Sequence, residues 1–200
     1  MDNTQGGADK KRLKMLSGIY EVIETVAIAV IAAMLIFIFL FRISSVDGTS
    51  MWDTLEHNDR LIVSNLFYKP KNGDIVVFQQ EDGYFSEPLV KRVIAVGGQK
   101  LKIDFENWIV YVDGKMLRES YVTYQPGASM RADDYYTYYN DYFDEDGAIT
   151  VPDGYVFVMG DNRNGSSDSR FAGVGFVKED DIMGRAVWRL FPLDKMGKIS

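Results

Sequence analysis

Residues Val26–Phe41, VAIAVIAAMLIFIFLF, contain no charged residue, no glycine and no proline. Such a run is helical, and its length of about 24 Å approaches the roughly 30 Å hydrocarbon thickness of a bilayer once Val22 and Ile23 are added. The chain must therefore be read in pieces: a basic tail (1–17), a membrane-spanning helix (18–42) and a folded domain beyond it (43–200). Lys10, Lys11, Arg12 and Lys14 precede the run, whereas Arg42 alone flanks its far end. The positive-inside bias then predicts a single-pass protein of the cell membrane with a cytoplasmic N-terminus and an extracytoplasmic C-terminal domain. A cleaved secretory signal is the competing reading. Against it, the run exceeds the usual apolar core of about 7–15 residues, and bulky side chains end it where a small-residue cleavage site would stand.

Composition narrows the chemistry. There is no cysteine and one histidine, His57, so thiolate chemistry, disulfides, cysteine-ligated metals and sites needing two imidazoles are excluded, and no cofactor or metal is expected. Lys and Arg total 22 against 29 Asp and Glu, a net charge of −7, which argues against nucleic acid as a partner. Beyond the apolar run the pattern turns to short β-type stretches: Arg60–Ser64, Asp74–Phe78, Leu89–Val96, Lys100–Ile103, Trp108–Val112, Tyr155–Met159 and Arg185–Phe191. Asn72-Gly73, Asp113-Gly114 and Asp153-Gly154 punctuate them as turns. The fold expected is mainly β, an antiparallel or mixed domain with barrel-like sheets and much coil, preceded by one transmembrane helix. The stretch 121–146 is rich in tyrosine and acids and reads as an insertion, its rings either packed down on the sheet or offered as a binding surface.

Three blocks hold the residues able to do chemistry: Asp47-Gly48-Thr49-Ser50-Met51, Leu89-Val90-Lys91-Arg92-Val93, and the loop from Gly160-Asp161-Asn162 to Asp168-Ser169-Arg170. A serine at its free pKa is a poor nucleophile and needs a base within hydrogen-bond reach. Two bases compete. His57 lies seven residues from Ser50 but among Glu56, Asn58, Asp59 and Arg60, a polar setting that suits a surface turn. Lys91 shares a strand face with Leu89, Val93 and Ala95, where desolvation disfavours the ammonium and lowers its pKa.

Taken in order behind one span, the three blocks resemble the bacterial type I signal peptidases, the serine–lysine enzymes that remove signal peptides from exported proteins. The resemblance is carried by G-x-S-M, K-R-V and the GDNR-x-x-S-x-DSR block, and the single-span layout looks most like the Gram-positive form. It implies Ser50 as nucleophile, Lys91 as general base and Ser166 as the hydroxyl that orients Lys91. Asp161, Asp168, Arg170 and Arg92 would form the ion-pair framework of the two loops, Gly48 the backbone turn before the nucleophile, and Met51 and Val90 neighbours of the bound substrate. The substrates implied are preproteins cut after small residues of A-x-A type, and the lipid bilayer is the other partner. Trp52 and Leu55 are expected to be exposed and to meet the membrane interface. The sequence departs from the family at Asp53, where S-M-x-P-T-L would place proline. Proline fixes φ, whereas aspartate can hold a turn only through its side chain. The alternative reading is a catalytically impaired, membrane-anchored β-rich binding or scaffold paralogue.

Overall fold

A computed structural model describes residues 5–81 and 83–199, with the backbone alone for 5–15, 17 and 36–40. The side chains of the Lys10–Lys14 cluster, on which the orientation expectation rests, therefore lie outside the described residues. Two compact units divide the chain near Phe41. The first is the helix α1 (Gln5–Leu40). It begins earlier than the expected 18 because Ala8, Lys10, Lys11, Arg12, Leu13 and Lys14 are good helix formers that carry the helix past the apolar run. It also stops at Leu40 rather than 42. Its window Gly18–Leu35 is long and apolar enough to cross a membrane, with a mean hydropathy of 1.9.

The second unit is antiparallel β. Its larger sheet takes the order β1 (Phe41–Ser45), β2 (Arg60–Ser64), β11 (Ile182–Phe191), β3 (Ile75–Phe78), β4 (Leu89–Val96), β9 (Tyr155–Met159) and β10 (Val177–Lys178), with β12 (Gly197–Lys198) added to β11. A four-stranded sheet runs β7 (Lys115–Met116), β6 (Ile109–Val112), β5 (Lys100–Asp104) and β8 (Ile149–Thr150). Central strands are apolar on both faces, as burial on both sides requires. In β3, Ile75 and Val77 pack into one cluster with Leu61, Val63 and Val90, while Val76 and Phe78 pack into another with Val93, Val156 and Val158.

Two expectations change on this frame. In β4, Leu89 and Val93 share a cluster, but Ala95 packs with Ile94 on the other core, because the pairing with β9 shifts register between Val93 and Ala95. A bulge of this kind turns the following side chains to the other face. Leu55 is 0% exposed, and only Trp52 of the expected interfacial pair faces outward. Leu55 is drawn in because a turn donates its backbone N–H to the Met51 carbonyl at 2.8 Å, which tucks both side chains under the Ser50 turn.

The tyrosine-rich stretch closes the core rather than standing off it. Tyr135 and Tyr139 are buried against Phe105, Phe157 and Ile149, and the Tyr139 hydroxyl donates to the Ser169 carbonyl at 2.9 Å. Edge-to-face contacts such as Phe105–Tyr135 at 5.2 Å use the ring quadrupoles as well as buried area. Tyr136, Tyr138 and Tyr142 remain exposed.

Candidate active site

Ser50, the expected nucleophile, sits on a turn that follows β1 and rests on buried Val46, Met51 and Leu55. The turn passes through Gly48 at φ +86°, a left-handed conformation that glycine adopts without the steric cost of a Cβ. Lys91 lies in the centre of β4, paired with Val76 of β3. Its side chain is 3% exposed, and Nζ donates to the Ser50 Oγ at 2.8 Å and to the Val90 carbonyl at 3.0 Å. Burial pushes the Lys91 pKa down to about 8, and the nearby Asp168 and Asp161 carboxylates restrain the fall. An amine so placed is deprotonated in useful amounts near neutral pH.

The loop after β9 brings the rest. The Asn162 N–H donates to the Ser50 carbonyl at 3.0 Å, and its side-chain amide to the Thr49 carbonyl at 3.1 Å, so the loop is sewn to the Ser50 turn by main-chain acceptors. Close approach requires Gly160, where a Cβ would stand 2.4 Å from the Ser50 carbonyl oxygen and 2.3 Å from the Ser166 hydroxyl. Ser166 is buried, but its hydroxyl makes no hydrogen bond of ordinary geometry to Lys91 or to any other described residue. Its electrostatic neighbour is the Asp168 carboxylate.

Ion pairs hold this loop from beneath. Arg92 Nε and Nη2 donate to both oxygens of Asp161, at 2.9 and 2.8 Å, and Arg170 does the same to Asp168, at 2.8 Å for each contact. Asp168 also accepts the Gly160 N–H at 2.9 Å. Burial alone would raise its carboxyl, yet the Arg170 guanidinium and these donors outweigh burial and hold it below the usual carboxylate range. A third pair went unanticipated: buried Arg163 donates from Nη2 and Nη1 to the two oxygens of Glu119, at 2.5 and 3.1 Å. Arg163 belongs to the GDNR block and could have been suspected. No spacing signal links it to Glu119, which comes from the segment after β7.

An open groove of about 330 Å³ runs past the pair, walled by Val46–Ser50 on one side and by Phe85, Pro88, Leu89 and Val90 on the other. Val90 thus lines the groove as expected of a neighbour of the chemistry. Met51 does not: it is 1% exposed and belongs to the core under the turn, where the Leu55 N–H to Met51 carbonyl turn tucks it against Leu55. His57 lies aside. It is 54% exposed, and its Nδ1 accepts the Gly48 N–H at 3.2 Å beside Asp47, with no described contact to Ser50. Asp53 does not cap its own turn; its carboxylate accepts a hydrogen bond from the Thr123 hydroxyl at 2.5 Å. No cluster of metal-ligating side chains occurs among the described residues.

A hydroxyl facing a desolvated amine on the floor of an open groove is the equipment of a hydrolase that works through serine. The sequence profile of the family described as signal peptidase, peptidase S26, matches residues 19–191. A probable signal peptidase I-1 of Synechocystis sp. is 36% identical over 191 residues, covering 91% of this chain and 87% of that protein. Signal peptidase I T of Bacillus subtilis is 34% identical over 203 residues, covering 97% and 94%. A crystal structure of a signal peptidase I from Enterococcus faecalis V583 aligns with a TM-score of 0.46 at 28% identity, over 60% of this chain and 98% of that one. The chain belongs to the peptidase S26 signal peptidase family, and it is a signal peptidase, a hydrolase of peptide bonds.

Proposed function

We propose that the protein is a membrane-anchored endopeptidase that removes N-terminal signal peptides from exported preproteins through a Ser50–Lys91 dyad. The observation that carries this reading is the 2.8 Å contact between Lys91 Nζ and Ser50 Oγ, with Nζ buried and its pKa lowered to about 8. With the amine neutral, Nζ takes the Ser50 proton as Oγ attacks the scissile carbonyl. The ammonium then returns the proton to the leaving amine, and the acyl-enzyme is hydrolysed by a water that the same amine activates. The oxyanion is stabilised by the Ser50 backbone N–H, which has no acceptor among the described residues. Gly48 offers no side-chain donor, and its N–H is engaged by His57.

The substrate lies in the groove as an added strand, gaining main-chain hydrogen bonds while alternate side chains enter shallow recesses in the wall that carries Leu89 and Val90. Small residues at the first and third positions before the cut fit such recesses. The helix α1 anchors the protein, with its N-terminus in the cytoplasm and residues 43–200 outside. The test uses a preprotein bearing A-x-A: Ser50→Ala and Lys91→Ala should each abolish cleavage in a folded protein, and a bulky residue in place of either alanine should leave the preprotein uncut. Full activity in either variant would overturn the dyad.

A further inference from the structure

One segment touches every element that carries the site. After β7 the chain runs through Glu119, Tyr121, Thr123, Gln125 and Ser129 to Arg131, in turns and coil. Its first contact is with the loop after β9, through the bidentate Glu119–Arg163 pair, and Arg163 passes the restraint on by donating from Nε to the Gly160 carbonyl at 3.1 Å. Farther along, Asn164 of the same loop accepts the Arg131 N–H at 2.7 Å and donates to Gln125 at 3.1 Å and to the Ser129 carbonyl at 3.2 Å. The second contact is with β4: the Tyr121 ring lies 3.8 Å from the Arg92 guanidinium, one residue from Lys91, while its hydroxyl donates to Glu119 at 3.0 Å. The third is with the Ser50 turn, through Thr123 and Asp53 at 2.5 Å.

We propose that the segment Glu119–Arg131 is a positioning strap that sets the spacing of the Ser50 turn, β4 and the Gly160–Arg170 loop, with Glu119 and the Asp53–Thr123 hydrogen bond as its two anchors. The inference rests on the Ser50–Lys91 reading and adds residues that touch neither substrate nor reacting atoms. Its physical basis is the geometry of the elements joined. Ser50 stands on a turn and Lys91 on a strand, so nothing in their local structure fixes the 2.8 Å between them. A segment hydrogen-bonded to the Ser50 turn, stacked on Arg92 of β4 and bonded to the loop that binds the Thr49 and Ser50 carbonyls does. Loss of an anchor loosens the alignment of Oγ with Nζ, to which the chemical step is far more sensitive than binding in the groove. In this chain the Asp53 side chain thereby does by hydrogen bonding what proline would do at that position by fixing φ.

The experiment measures kcat and KM for full-length enzyme on a preprotein bearing A-x-A, together with melting curves. Thr123 and Asp53 are exposed, so their variants fold. Thr123→Val should lower kcat about fivefold, the rate equivalent of one ordinary hydrogen bond, with KM unchanged. Thr123→Ser should restore it, and in an Asp53→Ala background Thr123→Val should add no further loss. Glu119→Gln, which leaves Arg163 without its counter-charge, should lower kcat by at least about tenfold, given the steep dependence of rate on alignment. If that variant does not fold, the Thr123 series decides. Wild-type kcat in Thr123→Val and Asp53→Ala, or losses confined to KM or to melting temperature, would overturn the strap. Ser50→Ala and Lys91→Ala separate the two ideas: if both are inactive while the strap variants are normal, only the strap fails, and if either is active the dyad fails with it.

Discussion

Ser50 and Lys91 face each other at 2.8 Å, and under the proposed dyad the protonation of one nitrogen decides whether that contact is idle or reactive. Because burial lowers Lys91 from 10.5 to about 8, kcat/KM should rise with pH through about 8 and level off above it. A rising limb near the ordinary lysine value would contradict a buried base. Stability carries the same sign. Between about 8 and 10.5 the unfolded chain binds a proton that the folded chain does not, so stability rises with pH across that window. Below about 8 the burial penalty is fully present, and the shift corresponds to about 3 kcal/mol. Lys91→Met should therefore unfold near neutral pH at an equal or higher denaturant midpoint than wild type while cleaving nothing. A lower midpoint would mean that Lys91 serves as a structural cation. His57→Ala should keep most of the activity, since His57 accepts only from Gly48 and touches nothing that reacts.

At the scale of elements, the Gly160–Arg170 loop behaves as two parts. Asp168 and Arg170 are fully buried partners, so Asp168→Ala strands a guanidinium and should cost about 3–5 kcal/mol with most of the activity. Ser166 has no such bond to lose, and Ser166→Ala should melt with the wild type. Its role in the proposed reaction is to receive the third N–H of Lys91 once the amine is protonated, the other two being taken by Ser50 and Val90. A fall in kcat without a change in melting temperature is the expected result, and unchanged turnover would remove Ser166 from the mechanism. β4 makes the same point from the strand side. Alternation correctly put Leu89 and Val93 together, and the bulge after Val93 is what sends Ala95 elsewhere.

The whole molecule divides into a helix and a β domain, each legible as such from composition alone. Orientation belongs to this scale: four basic residues before the apolar run and one after it are the basis for the proposed placement of the β domain outside. On sealed membranes an added protease should degrade residues 43–200 from the extracytoplasmic side alone, and digestion from the cytoplasmic side would refute the topology. The tyrosine-rich stretch also belongs here. Of its two readings, packing prevailed for Tyr135 and Tyr139, whose rings complete a core between the smaller sheet and β9.

What the sequence determined by itself was whatever depends on local pattern. The apolar run, the bounds of β2, β4 and β9, and the three blocks with Ser50, Lys91 and the GDN loop follow from periodicity, turn residues and short motifs. The resemblance implied an ion-pair framework of Asp161, Asp168, Arg170 and Arg92, and the structure pairs them as Arg92–Asp161 and Arg170–Asp168. Only the tertiary structure decided the rest, because it depends on which distant segments meet. Met51 and Leu55 turned inward because the Ser50 turn lies on a core built from β2, β3 and β11. Glu119 found Arg163, and Thr123 found Asp53, across 44 and 70 residues of chain. Contacts of that separation leave no periodicity in a sequence; they exist only once the sheets have set where each loop ends.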